Sequence, residues 1–262
     1  MARHTNRRKP PKTQVKRPAG KRQELSNNYW DVTHRPLQCL VFLLPMVLAY
    51  EIGMAVSHPN VPIDQRPGLA AEQLLRWFFS LFGATGVYLP GFALIVVLLV
   101  WHIAGRHPWK VAGQPLLGMA GESVLLAIPF LLFNKLINES PPLQGAAGVY
   151  QDSAFDNLLL SIGAGIYEEL VFRLIVISLL MLLLIDIGHM KEVTGVALAV
   201  ILSSLMFAAH HYPPIGADEW STGRFAFYAA SGAYLAAVFV VRGFGLAVGC
   251  HAFYDIMASF LM

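Results

Sequence analysis

The chain is a succession of apolar runs separated by short polar or Pro/Gly-rich breaks, and the runs have the lengths of membrane spans. One stretches from about Leu37 to Val56, and others lie at about 87–105, 114–134, 193–210, 225–241 and 244–261. A hydrocarbon core of ~30 Å needs about 20 apolar residues in helical conformation, and each run approaches that. Two stretches exceed a single perpendicular span. Residues 69–104 are broken by Gly83, Gly86, Pro90 and Gly91, which predicts an amphipathic piece at about 69–84, lying at the interface or partly re-entrant, before the span at 87–105. From Asp156 to Gly188 the chain stays apolar over roughly 50 Å of helix at 1.5 Å per residue, which predicts one long tilted helix or two helices broken near Arg173. No strand alternation competes with these runs. The fold class that follows is all-α, a polytopic transmembrane bundle of about 6–8 helices. It divides into a basic, disordered cytoplasmic tail at 1–36, N-terminal transmembrane helices at 37–154, and a C-terminal transmembrane core at 155–262.

Composition supports this class. Of 262 residues, 56% are hydrophobic and only 13% charged, about half the charge of a soluble domain. The net charge of +3 hides an uneven distribution. Arg3, Arg7, Arg8, Lys9, Lys12, Lys16, Arg17, Lys21 and Arg22 all precede the first acid, Glu24. With Pro10, Pro11 and Pro18 and almost no large apolar residue among them, these positions cannot form a core. The tail reads as a topology anchor touching anionic lipid rather than a nucleic-acid arm. Basic residues recur at 106–110, Lys191 and Arg242, and acids at Asp152, Asp156, Asp218 and Glu219; this alternation places the N-terminus in the cytoplasm if 69–104 crosses once. Tyr29 and Trp30 beside Arg35 read as an interfacial belt. Cys39 and Cys250 sit in apolar runs, which excludes a disulfide framework and reads each as a small buried hydrophobe.

Against this background a few charges stand out. Tyr167-Glu168-Glu169-Leu170-Val171-Phe172-Arg173 places two carboxylates and a guanidinium inside the apolar run from Leu158 to Ile185. A charge at bilayer depth costs about 2.5–3.5 kcal/mol on insertion scales, which makes such a cluster a functional-site hypothesis. Residues four apart share a helix face, so Glu169 and Arg173 can neutralise each other. Glu168 lies about 100° round and is free to face a cavity, as a general base requires. Downstream, Phe207-Ala208-Ala209-His210-His211-Tyr212 ends an apolar helix before Pro213-Pro214, with His211 on the face of Phe207. His251 and Asp255, again four apart, lie deep in the last run. A glutamate, two histidines and an aspartate suffice to activate water and hold an oxyanion, and are also plausible metal ligands. Glu122, inside the run at 114–134, either joins this cluster or faces a polar groove, while Glu51 reads as reaching interfacial water.

Glu168-Glu169-x-x-x-Arg173, Phe207-x-x-x-His211 and His251-x-x-x-Asp255 resemble the three motifs of the CPBP family. These are the CAAX-type intramembrane proteases related to the type II CAAX prenyl endopeptidase, together with bacteriocin-processing and immunity proteins. The resemblance covers roughly residues 155–260. It implies a membrane-embedded catalytic cavity and hydrolysis of a peptide bond in a membrane-associated peptide or protein. Glu168 would activate water, assisted by His211; His251 and residue 255 would hold the oxyanion; and Glu169 and Arg173, with Phe207 and His210, would support them. It implies no metal cofactor, although the family was long described as metal-dependent; a divalent ion such as zinc would take Glu168, His211 and His251. No His-Glu-x-x-His helix is present. The family usually has Asn where Asp255 stands. An amide donates to an oxyanion and an ionised carboxylate does not, so Asp255 is either protonated, or orients His251, or favours a metal. His210 could take over the role that spacing gives His211. The competing functions are a carrier that uses the same charges as a relay, although no inverted repeat is apparent, and a non-catalytic immunity or scaffold protein. The expected partners are substrate and lipid bilayer, not nucleic acid, and the expected location is a bacterial inner membrane.

Overall fold

Every regular element among the described residues of the computed structural model (28–61, 68–137 and 153–261) is a helix. A short α1 (Tyr29–Thr33) leads into α2 (Pro36–Ser57), which opens on a proline where an unpaired N–H would otherwise be exposed. Then follow α3 (Ala70–Ser80), α4 (Leu89–Ala104) and α5 (Gly113–Ile137). A long α6 (Ala154–Ile187), α7 (Glu192–Ala209), α8 (Thr222–Arg242) and α9 (Phe244–Leu261) complete the chain. Six of them, α2 and α5 to α9, are long and apolar enough to cross a membrane. The protein is an all-α, multi-pass integral membrane bundle. Of the basic tail expected to be disordered at 1–36, residues 1–27 lie outside the described residues, as do the loops at 62–67 and 138–152, whereas 29–33 form α1 and Pro36 opens α2.

The two over-long apolar stretches resolve differently. Residues 69–104 split as expected. On α3, Ala71, Glu72 and Leu75 turn inward while Trp77 and Phe78, with Leu81 and Phe82 in the turn after it, are exposed, which is an amphipathic helix too short to span; α4 carries the continuous apolar run. The stretch from 156 onward is one helix of 34 residues with no break at Arg173. It stays continuous by widening into π-helical turns at Leu170–Ile177 and Leu182–Ile187. Such turns open the backbone ladder and recur at functional sites. Here the carbonyl of Phe172 accepts from Ser203 Oγ of α7 at 2.7 Å. At its start α6 is capped by Ser153, whose Oγ accepts the N–H of Asp156 at 3.0 Å.

Helix α9 is the hub. It packs on α6 and α5, α6 packs in turn on α2, and α7 and α8 pair beside them. Where α6 meets α9 the backbones nearly touch: a Cβ on Gly165 would lie 2.7 Å from the backbone nitrogen of Ala252. Small residues permit this approach in membrane bundles, and here it brings the acids of α6 beside His251. At the other end of α9, Gly243 alone links it to α8, in a left-handed conformation (φ 88°) that a residue with a Cβ rarely adopts. One apolar core, around Leu43, Leu94, Leu98, Ile166 and Tyr167, joins α2, α4 and α6. A second, aromatic one lies between α5, α8 and α9, with Phe130 stacked on Tyr254 at 3.7 Å. Cys39 and Cys250 are buried and free, as expected.

Glu122 and Glu51 both have partners of their own. Glu122 receives Arg242 from α8 in a two-pronged contact at 2.5 and 2.8 Å, and Tyr29 Oη at 2.6 Å. It therefore closes a separate cluster and does not join the acids of α6. Glu51 accepts from the Tyr167 hydroxyl inside the bundle, which corrects the reading that it reaches interfacial water. Beside it Tyr50 donates to Glu72 at 2.6 Å, and Glu72 pairs with Arg76.

Candidate active site

Three helices contribute the site, and each does so for a local reason. On α6 the last α-helical turn before the π-wound segment carries Glu168 and Glu169. Glu169 and Arg173 are completely buried and meet at 3.0 Å between Oε2 and Nε. The approach is outside hydrogen-bond geometry, so the contact is coulombic. The guanidinium lies 4.4 Å above the Phe207 ring and donates to the Gly232 carbonyl at 3.3 Å. That satisfies it electrostatically on a second side and along its face. The other Glu169 oxygen, Oε1, takes the Nδ1–H of His251 at 2.8 Å. Glu169 is thus held between α6 and α9, by charge on one side and by a hydrogen bond on the other.

Glu168 differs. It is 8% exposed, and its two oxygens face two imidazoles without touching either: Oε1 lies 3.5 Å from His210 Nε2, and Oε2 lies 3.8 Å from His251 Nε2. Both are longer than the hydrogen bonds around them.

The histidines of α7 are placed by the end of their helix. In a continued helix the Phe207 carbonyl would accept the backbone N–H of residue 211. Instead it faces Nδ1 of His210 at 2.5 Å and Nδ1 of His211 at 2.9 Å. A carbonyl only accepts, so both rings carry their proton on Nδ1, and in the neutral form present the Nε2 lone pair. Diverting that carbonyl to side chains ends α7 at Ala209. His211 then lies flat on Tyr228 of α8, with ring centroids 3.7 Å apart and an angle of 11°.

Asp255 sits 3.4 Å from His251 Nε2, not from Nδ1. The orienting role that Asp255 could have played at His251 therefore falls to Glu169. Nε2 faces two carboxyl groups, those of Glu168 and Asp255, and at least one proton must be shared among the three for the arrangement to be attractive. That proton is a donor placed beside Glu168.

All eight residues expected from the sequence lie in this one region. Glu168, His210, His251 and Asp255 form its centre; Glu169, Arg173 and Phe207 hold it; and His211 is within the same group. Of residues that could hold a metal, Glu168, His210 and His211 gather ligand atoms within 4.8 Å of one another. His210 stands in that set where the sequence gave His251. Two imidazole lone pairs and a carboxylate suit zinc in kind. The sequence reading did not find Tyr228 or Asp218, whose positions read as helix packing and a loop acid, nor the link from Glu169 to His251 across 82 positions.

Comparison with protein-family models matches residues 151–257 to the family described as Type II CAAX prenyl endopeptidase Rce1-like. No curated protein and no solved structure matches the chain. The matched range contains α6 to α9 almost entirely, and with them every side chain of the site. Over residues 151–257 the C-terminal core of this membrane protein is thus similar to the type II CAAX prenyl endopeptidase Rce1-like family.

Proposed function

We propose that the protein is an intramembrane endopeptidase that cleaves a membrane-associated peptide or protein with water activated by Glu168. The observation that carries this reading is the contrast within one dipeptide: Glu169 is engaged by Arg173 at 3.0 Å and by His251 at 2.8 Å, whereas Glu168 is buried and has no contact shorter than 3.5 Å to the imidazoles beside it. A buried carboxylate with free lone pairs is what a general base needs.

In the proposed reaction a water bonded to Glu168 gives it a proton as its oxygen attacks the scissile carbonyl carbon. The C=O π pair becomes an oxyanion, which the proton shared by His251 Nε2 and Asp255 stabilises by hydrogen bonding. Glu168 then returns its proton to the leaving nitrogen as the C–N bond breaks, and the carbonyl reforms. The second O–H of the water donates to an Nε2 lone pair of the His210–His211 pair, which orients it, so His211 shares with His210 the role that spacing alone gave it. Should the protein bind zinc, Glu168, His210 and His211 would hold it, and the ion would supply Lewis-acid activation of water.

The test is cleavage of a membrane-tethered peptide by purified protein in vesicles. Glu168→Gln is expected to lower turnover by about 10²–10⁴-fold, the usual range for a lost general base, with thermal unfolding unchanged. Undiminished cleavage refutes the assignment. Activity after chelation and metal content of the same sample decide between the metal-free and metal-holding forms.

A further inference from the structure

The loop after α7 and the start of α8 form a closed circuit around His211. The ring of His211 rests face to face on Tyr228, 3.7 Å between centroids. Tyr228 is buried and donates its hydroxyl to Asp218 Oδ2 at 2.5 Å. Asp218 in turn gives its backbone N–H to the carbonyl of His211 itself, at 3.0 Å. The circuit therefore runs from the imidazole through the phenol and the carboxylate back to the main chain of the same residue. Arg224, one turn into α8, adds charge 4.0 Å from the same Asp218 oxygen, and Ser221 caps that helix at Arg224 N.

The circuit restricts the imidazole in the directions that its own hydrogen bond leaves open. Nδ1–H on the Phe207 carbonyl fixes one point in the ring plane at 2.9 Å, but a ring held at one point can still tilt about that bond. Phe207 meets its edge at 5.1 Å and His210 flanks it at 4.0 Å, both at steep angles. Only Tyr228 lies parallel to the ring among the described aromatic neighbours, and it sets the tilt on which the aim of Nε2 depends. An apolar side chain could fill the volume, but its hydroxyl tie to Asp218 would be lost.

We propose that Tyr228, anchored by Asp218, is a positioning residue that sets the plane of the His211 ring and so aims its Nε2 at the reacting water. This rests on the reading above, in which His211 serves the hydrolysis. A displacement of about 1 Å in a catalytic group can cost ~10²-fold in rate. The role predicts a loss in kcat with little change in KM, and a loss that is felt only while His211 is present.

The experiment measures kcat and KM on a membrane-tethered peptide for Tyr228→Leu, Tyr228→Phe, His211→Ala and the double variant His211→Ala with Tyr228→Leu. NMR of ring-labelled histidine in the intact protein is recorded alongside. Tyr228→Leu is expected to lower kcat about 10²-fold with KM within about twofold. Tyr228→Phe, which keeps the stacked face, should fall between it and the parent. The double variant should be no worse than His211→Ala alone, because Tyr228 acts through a ring that is no longer there. In the spectrum, the upfield shift that the Tyr228 face imposes on His211 should vanish in Tyr228→Leu and survive in Tyr228→Phe. Multiplying losses in the double variant would make Tyr228 a general structural residue and overturn the inference. So would an unchanged kcat in Tyr228→Leu beside an inactive His211→Ala, with the hydrolytic reading left standing. Full activity in His211→Ala would instead remove the role of His211 itself, and the inference with it.

Discussion

Two buried charge clusters in this protein use the same ingredients and end in opposite states. Around Arg242, everything closes. Its guanidinium grips both oxygens of Glu122, lies 3.7 Å over the Trp30 ring, and shares Glu122 with the Tyr29 hydroxyl. Burial and that carboxylate push the Tyr29 phenol up to about 12, so it stays a donor at any working pH. Around Arg173 the closure is deliberately partial in its chemistry: Glu169 is gripped from two sides and Glu168, one residue away, from neither. The first cluster fastens α1 to α5 and α8. The second leaves one acid with capacity to spare. A buried charge thus signals function less by its presence than by the lack of a partner drawn close to it.

Substitutions can sharpen or break this contrast. The largest effect on turnover is expected from Glu168→Gln, with folding intact, whereas Glu122→Gln should leave the turnover of folded protein unchanged and lower its unfolding temperature. If the two variants behave alike, the distinction fails. Next comes stability. Glu169→Gln leaves Arg173 uncompensated in a site with no solvent access and should cost about 3–5 kcal/mol, read as denaturant-induced unfolding in detergent micelles. Removing the partner in the more open cluster by Arg242→Met, where Glu122 keeps 20% exposure and the Tyr29 contact, should cost less, about 2 kcal/mol by the same assay. Gly165→Ala is intermediate in mechanism: its Cβ would press on the Ala252 backbone at 2.7 Å and push α9 away from α6. About 1–3 kcal/mol of overpacking strain and a lower kcat at near-constant KM are expected together, because His251 adjoins Ala252 and would move with it. The smallest effect should come from Glu51→Gln, since an amide oxygen can still accept from Tyr167. Unfolding within about 1 kcal/mol of the parent is expected, and a larger loss would mean that the carboxylate charge itself matters there.

The helices were legible because apolar run length is a direct record of bilayer thickness, and the cluster at 168–173 because charges in such runs are costly. Spacing alone did not show how close His210 comes to Glu168, because the backbone leaves the α-helix there. His211 stands four residues after Phe207 and both ends of that interval do meet, yet the chain has already turned at Ala209, and the turn carries His210 within 3.5 Å of Glu168. Pairings between distant helices left no trace either. Glu122 and Arg242 are 120 positions apart, and Arg242 read only as a topology marker. Tyr228 was hidden for another reason: an aromatic residue in an apolar helix looks like packing until its hydroxyl and its face are each seen to have an assignment.

The π-wound turn from Leu170 to Ile177 also buffers the position of the acids against a change in chain length. In such a segment one residue more is threaded through the turn than an α-helix would hold. Trimming a single residue between Val171 and Ile177 would let the segment rewind as plain α-helix with the faces before and after it nearly kept, whereas trimming one from the α-helical turns on either side would rotate everything before the cut by about 100° relative to everything after it. The widened turn is thus the place where this helix can lose a residue without re-aiming its glutamates.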